Sequence, residues 1–451
     1  MGQLFGTDGI RGVANRYPMT CETALNVGRA VTSYFSNGGR RPRIIVGKDT
    51  RLSGAMLEYA LVSGICSAGG EAVRVGVLPT PGVACLTVLD KADAGVMISA
   101  SHNPFQDNGI KIFGNDAFKL SDEAEADIEA LLGREDHLRD LCASIQDVGG
   151  DAVMVDPEER YARFLLSALP AGFGLAGMKL VLDCSNGATF RVAPSVFRRL
   201  GADVTPLFIA PDGRNINEGC GSQHPERLAE HVVATGADVG LAFDGDGDRL
   251  IAVDDRGGVV TGDQMLAVCG AYLKQKGRLA NGLVVSTVMS NIGLAMAFRE
   301  MGIVHRKTDV GDRHVVREMR RSGAVLGGED SGHMIFLDRH TTGDGILTAL
   351  RLLEVIRDSG KPLSRLTQVI TVYPQILMNV AVSAKPPIET IPAIAEAVAE
   401  VENLLGDQGR VLVRYSGTQP LCRVMIEGPT AEEIRRYCSR ITEAVKSAIG
   451  E

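Results

Sequence analysis

Apolar and polar positions along the chain repeat one order three times. A strand-like apolar run at 43–47 leads into helical periodicity at 53–68, a Gly69-Gly70 stop and a second strand-like run at 72–77. The order recurs at 179–184, 192–200, Gly201 and 202–207, and again at 282–286, 292–301, Gly302 and 303–307. Strand, loop, helix, glycine and strand in this sequence predict a βαβ unit with parallel pairing. The glycine just past each helix suits a cap residue of positive φ. Three such units, more than a hundred residues apart, predict three similar α/β domains in tandem.

The last eighty or so residues have another pattern. Residues 375–383 are strand-like, 388–405 helical, and 411–414 and 421–427 strand-like again. Thr430-Ala-Glu-Glu433 has capping-box spacing and opens an amphipathic helix that runs to Ile449. The expected fold is therefore α/β with four domains: three tandem βαβ-containing mixed-sheet domains plus a smaller C-terminal α+β domain, around a central cleft. The boundaries expected are 1–150, 151–253, 254–368 and 369–451, with linkers near Gly149-Gly150, Asp254–Gly258 and Gln368–Pro374, the last a candidate hinge.

Composition narrows the function. At 451 residues, 45% hydrophobic and 23% charged, the chain is that of a soluble globular protein, which excludes disorder and a disulfide-dense miniprotein. Its 47 basic and 55 acidic side chains leave a formal charge of −8. Without clustered basic patches, nucleic acid and membrane surfaces are poor partners, and an anionic substrate must be held by a few placed cations. Nine cysteines, none in a CxxC, suggest reduced core thiols in a cytoplasmic protein. No apolar run approaches the ~18 residues of a membrane helix, and no signal-peptide pattern is expected.

Four polar, glycine-rich segments carry candidate chemistry. Asp244-Gly-Asp-Gly-Asp248-Arg249 lies between two apolar runs, so carboxylates on alternate residues can converge on one hard divalent cation such as Mg²⁺. An EF-hand fails, since its sixth position would be Arg249; the alternative is a solvated acidic turn. Val96–Lys111 breaks an apolar strand with Ser-Ala-Ser101-His102-Asn-Pro, where Ser101 is a candidate nucleophile or phospho-acceptor. The alternative there is an Asn-Pro turn whose serines cap backbone groups. Gly327–His333 could read sugar hydroxyls or be an ordinary polar turn. Arg414-Tyr-Ser-Gly-Thr418 with Arg423 suits a phosphate dianion, or is a surface hairpin with incidental arginines. A hydroxyl, a metal site, a sugar reader and a phosphate cradle together suggest phosphoryl transfer on a small molecule.

In order and over nearly the whole chain, these segments resemble those of the α-D-phosphohexomutases. The matching runs are Phe5-Gly-Thr-Asp-Gly-Ile-Arg-Gly12, Ser99-Ala-Ser-His-Asn-Pro104, Asp244–Arg249, Gly328–His333, Thr341-Thr-Gly-Asp-Gly345 and Arg414–Thr418. The first and fifth point to the glucosamine-phosphate branch; the phosphoglucomutase/phosphomannomutase branch is the alternative. The resemblance implies an isomerase that interconverts glucosamine 6-phosphate and glucosamine 1-phosphate, supplying UDP-N-acetylglucosamine and peptidoglycan synthesis in a bacterial cytoplasm. It implies a phosphorylated Ser101 and one Mg²⁺ per chain, held by that serine phosphate with Asp244, Asp246 and Asp248. It places Arg11, His102, Lys111 and Arg249 around the transferring phosphoryl group. Glu329, Ser331 and His333 match the sugar loop, and Arg414, Ser416, Gly417, Thr418 and Arg423 the loop for the distal phosphate. Glucosamine 1,6-bisphosphate is the implied intermediate, and it or glucose 1,6-bisphosphate the activator. The partner expected is a phosphosugar, with no nucleic acid and no membrane; a homodimer is a candidate assembly.

Asp330, Tyr415, Gln419 and Asp309 depart from the glucosamine-branch pattern, which has Gln, Pro, Glu and often Lys at those places. Two further readings compete: a phosphatase with Asp244 as aspartyl nucleophile, which leaves Ser101 idle, and a non-catalytic sugar-phosphate sensor.

Overall fold

The parallel pairing expected of each repeat is present three times in the computed structural model, which describes residues 4–6, 8–36, 40–133, 138, 140–416 and 420–450. The first part of the chain runs β1 (Ile10–Val13), α1 (Cys21–Phe35), β2 (Arg43–Lys48), α2 (Gly54–Ser67), β3 (Glu71–Val77), α3 (Thr80–Leu89), β4 (Ala94–Ile98), β5 (Asp107–Gly114), α4 (Asp122–Leu132) and β6 (Asp151–Val153). Its sheet has the order β1-β5-β4-β2-β3-β6. Next come α5 (Pro157–Ser167), β7 (Lys179–Asp183), α6 (Val192–Arg199), β8 (Asp203–Leu207), α7 (Glu226–Thr235), β9 (Val239–Phe243), β10 (Leu250–Val253) and β11 (Val259–Val260), in the sheet β11-β10-β9-β7-β8.

The third sheet, β13-β12-β14-β15, is built from β12 (Leu283–Thr287), β13 (Val304–Thr308), β14 (Leu326–Gly328) and β15 (Met334–Phe336). Around it in sequence lie α8 (Gly262–Gln275), α9 (Ile292–Glu300), α10 (Asp312–Ser322), α11 (Gly345–Ser359) and α12 (Leu363–Leu366). The C-terminal part has β16 (Gln375–Ala381), α13 (Pro392–Leu405), β17 (Arg410–Tyr415), β18 (Leu421–Glu427) and α14 (Ala431–Ile449), with an antiparallel sheet β16-β18-β17.

Each of the first three sheets contains the same four-strand core. Its first strand lies between the second and third, parallel to both, and the fourth returns antiparallel beside the third. The link from third to fourth strand is short in every case, and it is a motif loop: 99–106, 244–249 and 329–333. The strands that lead into the first two of these loops, β4 and β9, are buried at every residue, which is why they read as unbroken apolar runs. Anchored at both ends in one sheet, such a loop has little freedom to move.

The cap glycines have the expected positive φ: +86° at Gly69, +88° at Gly201 and +63° at Gly302. In the first domain α1 crosses α2 at closest approach through Gly28 and Gly64, where a Cβ on Gly28 would lie 3.1 Å from Gly64 Cα. Val27, Val31, Leu57, Leu61 and Ile65 from these helices bury against Ile44, Val46, Val96 and Ile98 of the sheet, and burial of each such side chain contributes about 1.5–3 kcal/mol. Two expected boundaries shift. Exposed β6 extends the first sheet past Gly150, and β11 extends the second past Val253. Both are short edge strands recruited by backbone pairing, which leaves little trace in hydropathy. The final helix is capped by Thr430, whose Oγ1 accepts the Glu433 N–H (3.3 Å); Glu433 accepts the Thr430 hydroxyl in return.

By its contacts the chain forms two compact units, Met1–Val288 with Ile303–Gln368, and Met289–Gly302 with Val369–Glu451. The first holds the three α/β sheets. The second holds the C-terminal sheet and also α9, the helix expected to belong with the third domain. Within that second unit, Asn291 Nδ2 donates to Tyr373 O (2.9 Å) while its Oδ1 accepts the Tyr373 N–H (3.0 Å). The Ile292 N–H and Arg410 Nε both donate to the fully buried Glu427 Oε2, at 3.0 and 2.8 Å. No helix among the described residues is long and apolar enough to cross a membrane.

One buried imidazole makes stability pH-dependent. His340 donates from Nε2 to Pro81 O (2.9 Å) and accepts the Thr341 N–H at Nδ1 (2.8 Å), so it is neutral in the fold. Burial lowers its pKa from 6.5 to about 4. The unfolded chain then binds the proton first, and stability falls as pH drops from 6.5 towards 4, by ~2 kcal/mol at pH 5. Wild type is expected to lose more stability than His340→Asn between pH 7 and pH 5 in urea titrations. Parallel losses would contradict this.

Candidate active site

Ser101 sits in the β4–β5 loop, 1% exposed, with a left-handed φ of +54°. Its N–H donates to Ser99 Oγ (2.9 Å), and Ser99 donates to Asp49 Oδ2 (2.6 Å). Ser99 thus caps backbone, as one reading of the loop expected. Ser101 does not: its hydroxyl donates to Asp244 Oδ2 at 2.6 Å, with His102 Nδ1 3.4 Å away. The two loops meet closely, and a Cβ on Gly245 would lie 2.6 Å from Ser101 O, so only glycine fits there.

Asp244, Asp246 and Asp248 are all buried, each offering an oxygen within 4.8 Å of the others'. A solvated acidic turn is thereby excluded. Asp246 Oδ2 accepts from Thr80 Oγ1 (2.6 Å) and Lys111 Nζ (2.8 Å), and Asp248 Oδ2 lies 3.3 Å from the same Nζ. The other oxygens, Asp246 Oδ1 and Asp248 Oδ1, are buried without a hydrogen-bond partner. Burial, then Asp248 and Asp246, drive the Asp244 carboxyl well above its ordinary range. Burial opposes ionisation of Asp248 too, yet Lys111 and His333 hold it well below. Crowded carboxylates with orphaned oxygens fit a hard divalent cation.

Around the triad runs a ring of alternating charge. From Asp248 it passes to Lys111, whose Nζ is 3.3 Å from Asp8 Oδ2; Asp8 also pairs with Arg11 and Lys119. Lys119 reaches Asp312 Oδ2 (2.5 Å), Asp312 lies 3.5 Å from His333 Nε2, and His333 Nδ1 is 3.6 Å from Asp248 Oδ1. Burial disfavours charge on Lys111, but Asp246, Asp8 and Asp248 raise its pKa well above the usual value. His333 is also raised, by Asp248 and Asp312 against burial. The Gly343 N–H donates to His333 Nε2 (3.2 Å), which places the proton of the neutral ring on Nδ1. Of this ring, Asp8, Lys119 and Asp312 were not singled out in the sequence, nor was Thr80. Asp8 lies in the quoted Phe5–Gly12 run; Lys119 has no local signal.

His102 is pushed down to about 4 by burial, then by Arg249 and Arg11. Arg11 Nε and Arg249 Nε are buried without hydrogen-bond partners. Two guanidiniums beside a neutral imidazole make a cationic surround for Ser101. In the β14–β15 turn, Glu329 Oε1 accepts the Gly311 N–H (3.1 Å), and Ser331 is half-buried in the same turn. Exposed Asp330 accepts the Asp263 N–H (3.3 Å) in the first turn of α8, where a carboxylate is favoured by the helix dipole. Nothing in the structure explains Asp309.

In the second unit, Arg414 on β17 and Arg423 on β18 are directly opposed in register. Like charges so placed repel, unless an anion lies between them. Arg423 Nε is buried without a hydrogen-bond partner. Buried Ser416 follows β17, its N–H donating to Leu421 O (2.8 Å) and its carbonyl accepting from Lys385 Nζ (2.6 Å). The Tyr415 hydroxyl donates to Pro386 O (2.7 Å). Gly417 and Thr418, with Gln419, lie outside the described residues.

The sequence matches the family described as phosphoglucomutase/phosphomannomutase in four blocks: alpha/beta/alpha domain I over residues 2–139, domain II over 159–258, domain III over 261–373 and the C-terminal domain over 377–444. The phosphoglucosamine mutase of Syntrophus aciditrophicus is 56% identical over 450 residues, all of both chains. That of Syntrophobacter fumaroxidans is 57% identical, again over the whole of both. Among solved structures, a phosphoglucomutase/phosphomannomutase family protein from Burkholderia thailandensis superposes with a TM-score of 0.81 at 25% identity, covering 99% of this chain and 97% of that one. The N-acetylphosphoglucosamine mutase of Aspergillus fumigatus, in complex with GlcNAc-6P and magnesium, shares the fold with a TM-score of 0.67 at 16% identity, over 99% and 96% of the two chains. With four family blocks in order and more than half its residues shared end to end with these bacterial enzymes, the chain belongs to the phosphoglucosamine mutases.

Proposed function

We propose that the protein interconverts glucosamine 6-phosphate and glucosamine 1-phosphate through a phosphorylated Ser101 and glucosamine 1,6-bisphosphate. The observation that carries this reading is the Ser101 hydroxyl, donating to Asp244 of a buried three-carboxylate cluster beside neutral His102 and two guanidiniums. The phosphoserine P–Oγ bond breaks as the substrate's C1 oxygen bonds phosphorus; the C1 hydroxyl loses its proton and Oγ takes one up, becoming the serine hydroxyl. His102, neutral and 3.4 Å from Oγ, is placed to take the Oγ proton when the serine is phosphorylated again. The bisphosphate then reverses: the bond from O6 to phosphorus breaks, Oγ bonds that phosphorus, O6 regains a proton, and glucosamine 1-phosphate leaves.

Phosphoryl transfer asks a protein chiefly for positioning and charge stabilisation. Arg11 and Arg249 supply charge to the moving group, while Lys111 holds the carboxylates in place. Asp244, Asp246, Asp248 and the Ser101 oxygen would hold Mg²⁺, which neutralises charge on the serine phosphate when bound. Glu329, Ser331 and His333 are assigned to the sugar, with the Glu329 carboxylate a partner for the C2 ammonium. Arg414, Ser416 and Arg423, with Gly417 and Thr418, are assigned to the phosphate that is not reacting.

The test is kcat/KM for glucosamine 1-phosphate and glucose 1-phosphate side by side, with Mg²⁺ and a trace of glucose 1,6-bisphosphate. A preference of roughly a hundredfold for the amino sugar is expected, since without the ammonium the half-buried Glu329 carboxylate loses its partner. Equal or better turnover of the glucose compound would move the protein to the phosphoglucomutase branch.

A further inference from the structure

We propose that Arg51, together with Asn217, is a positioning residue that holds the Ser101 loop in one conformation through both half-reactions. The proposal rests on Ser101 being the phosphoryl carrier. Arg51 follows β2 and its side chain is completely buried. Every N–H of its guanidinium is committed. Nε donates to Asp49 Oδ2 (2.8 Å), Nη2 to Ser101 O and Asn103 O (both 2.8 Å), and Nη1 to Asp107 O (3.0 Å) and Pro104 O. With five donors used on one carboxylate and four carbonyls, nothing remains to bind a phosphate. Its work is on the loop alone.

Asp49 ties the clamp to the same loop, because its Oδ2 also accepts the Ser99 hydroxyl and its Oδ1 the Arg51 N–H (2.9 Å). From the second sheet's side, Asn217 Nδ2 donates to the same two carbonyls, Ser101 O at 3.0 Å and Asn103 O at 3.1 Å. Asn217 has a left-handed φ of +59°, and its own N–H is fixed on Ser185 O (2.9 Å). Both lone pairs of the Ser101 carbonyl are therefore occupied, one from each domain. The left-handed backbone of a serine persists only where its surroundings impose it, and these bonds do so. They matter because Oγ must alternate between a hydroxyl donating to Asp244 and a phosphate ester that carries up to two negative charges. A backbone pinned from behind keeps Cβ aimed at one place in both states.

The test uses full-length Arg51→Lys, Asn217→Ala and the double variant, assayed with glucosamine 1-phosphate, Mg²⁺ and trace glucose 1,6-bisphosphate, with thermal melts to confirm folding. Lysine keeps the charge but cannot span four carbonyls. Expected are a kcat about a hundredfold lower for Arg51→Lys and about tenfold lower for Asn217→Ala. KM should move less than about threefold, and the double variant should fall short of the product of the two losses. A role in stability alone would lower the melting temperature and spare kcat. Either folded single variant with wild-type kcat, or losses confined to KM, would overturn the proposal. Should Arg51→Lys fail to fold, kcat of Asn217→Ala decides alone. Wild type without mutase activity would instead overturn the assignment of function, and this proposal with it.

Discussion

Replacing Ser101 by alanine is expected to lower interconversion of glucosamine phosphates by roughly four orders of magnitude or more while leaving the fold intact. The hydroxyl is the atom to which phosphorus bonds in both half-reactions, so its removal leaves no carrier, and binding and charge stabilisation alone supply only the residue. Structurally the change is small. One hydrogen bond to Asp244 is lost, worth about 1 kcal/mol, and alanine tolerates the left-handed backbone no worse than serine. Ser101→Gly is expected to be as inactive and slightly more stable, since glycine adopts that φ freely. Activity within tenfold of wild type in the alanine variant would eliminate the phosphoserine mechanism. It would return attention to Asp244 as an aspartyl nucleophile, the phosphatase reading that has no use for Ser101.

The second large effect should come from Lys111. Its ammonium is 1% exposed among Asp246, Asp248 and Asp8. In Lys111→Met the stem is replaced by a side chain of similar shape, and buried carboxylates are left without their cation. Breaking a buried pair in this way typically costs about 3–5 kcal/mol. The expected result is a marked fall in melting temperature in the presence of a chelator, and a larger recovery on adding Mg²⁺ than wild type shows, because a divalent ion at the triad restores the missing charge. A variant that melts like wild type in chelator, or gains no more from Mg²⁺, would show that the triad neither depends on Lys111 nor takes up the metal as assigned.

The contrast between what periodicity revealed and what it concealed follows from distance along the chain. The three βαβ runs were legible because each is local: alternating or helical burial, ended by a glycine whose φ is positive. The motif loops were legible as breaks in apolar runs. Their equivalence, each linking the third and fourth strands of the same sheet core, was not, because a four-residue strand such as β10 or a three-residue strand such as β15 has too few positions to show a period. The site was half legible. Ser101 and the three aspartates announce themselves by composition, yet the bond between Ser101 and Asp244 spans 143 residues of sequence. Asp8, Lys119 and Asp312 look like ordinary charged surface residues until the fold brings them together. Arg51 had a faint signal, since Lys48-Asp-Thr-Arg51 puts charge at the end of a buried parallel strand, where α/β proteins place their sites. Asp330, noted only as a departure from the branch pattern, is exposed and accepts a backbone N–H in the first turn of α8.

The C-terminal unit is discontinuous in the chain, since it takes in α9 from residues 289–302. It therefore has three junctions with the rest of the polypeptide instead of one. A fragment cut at Val369 would carry Glu427 without the Ile292 N–H, and Tyr373 without the amide of Asn291 that accepts and donates at its backbone. No single crossover exchanges this unit alone: one near residue 369 leaves α9 behind, and one before residue 289 carries residues 303–368 of the first unit along. A swap between two such enzymes has to move α9 and residues 369–451 together, so the C-terminal sheet and the helix from the third domain are inherited as a pair.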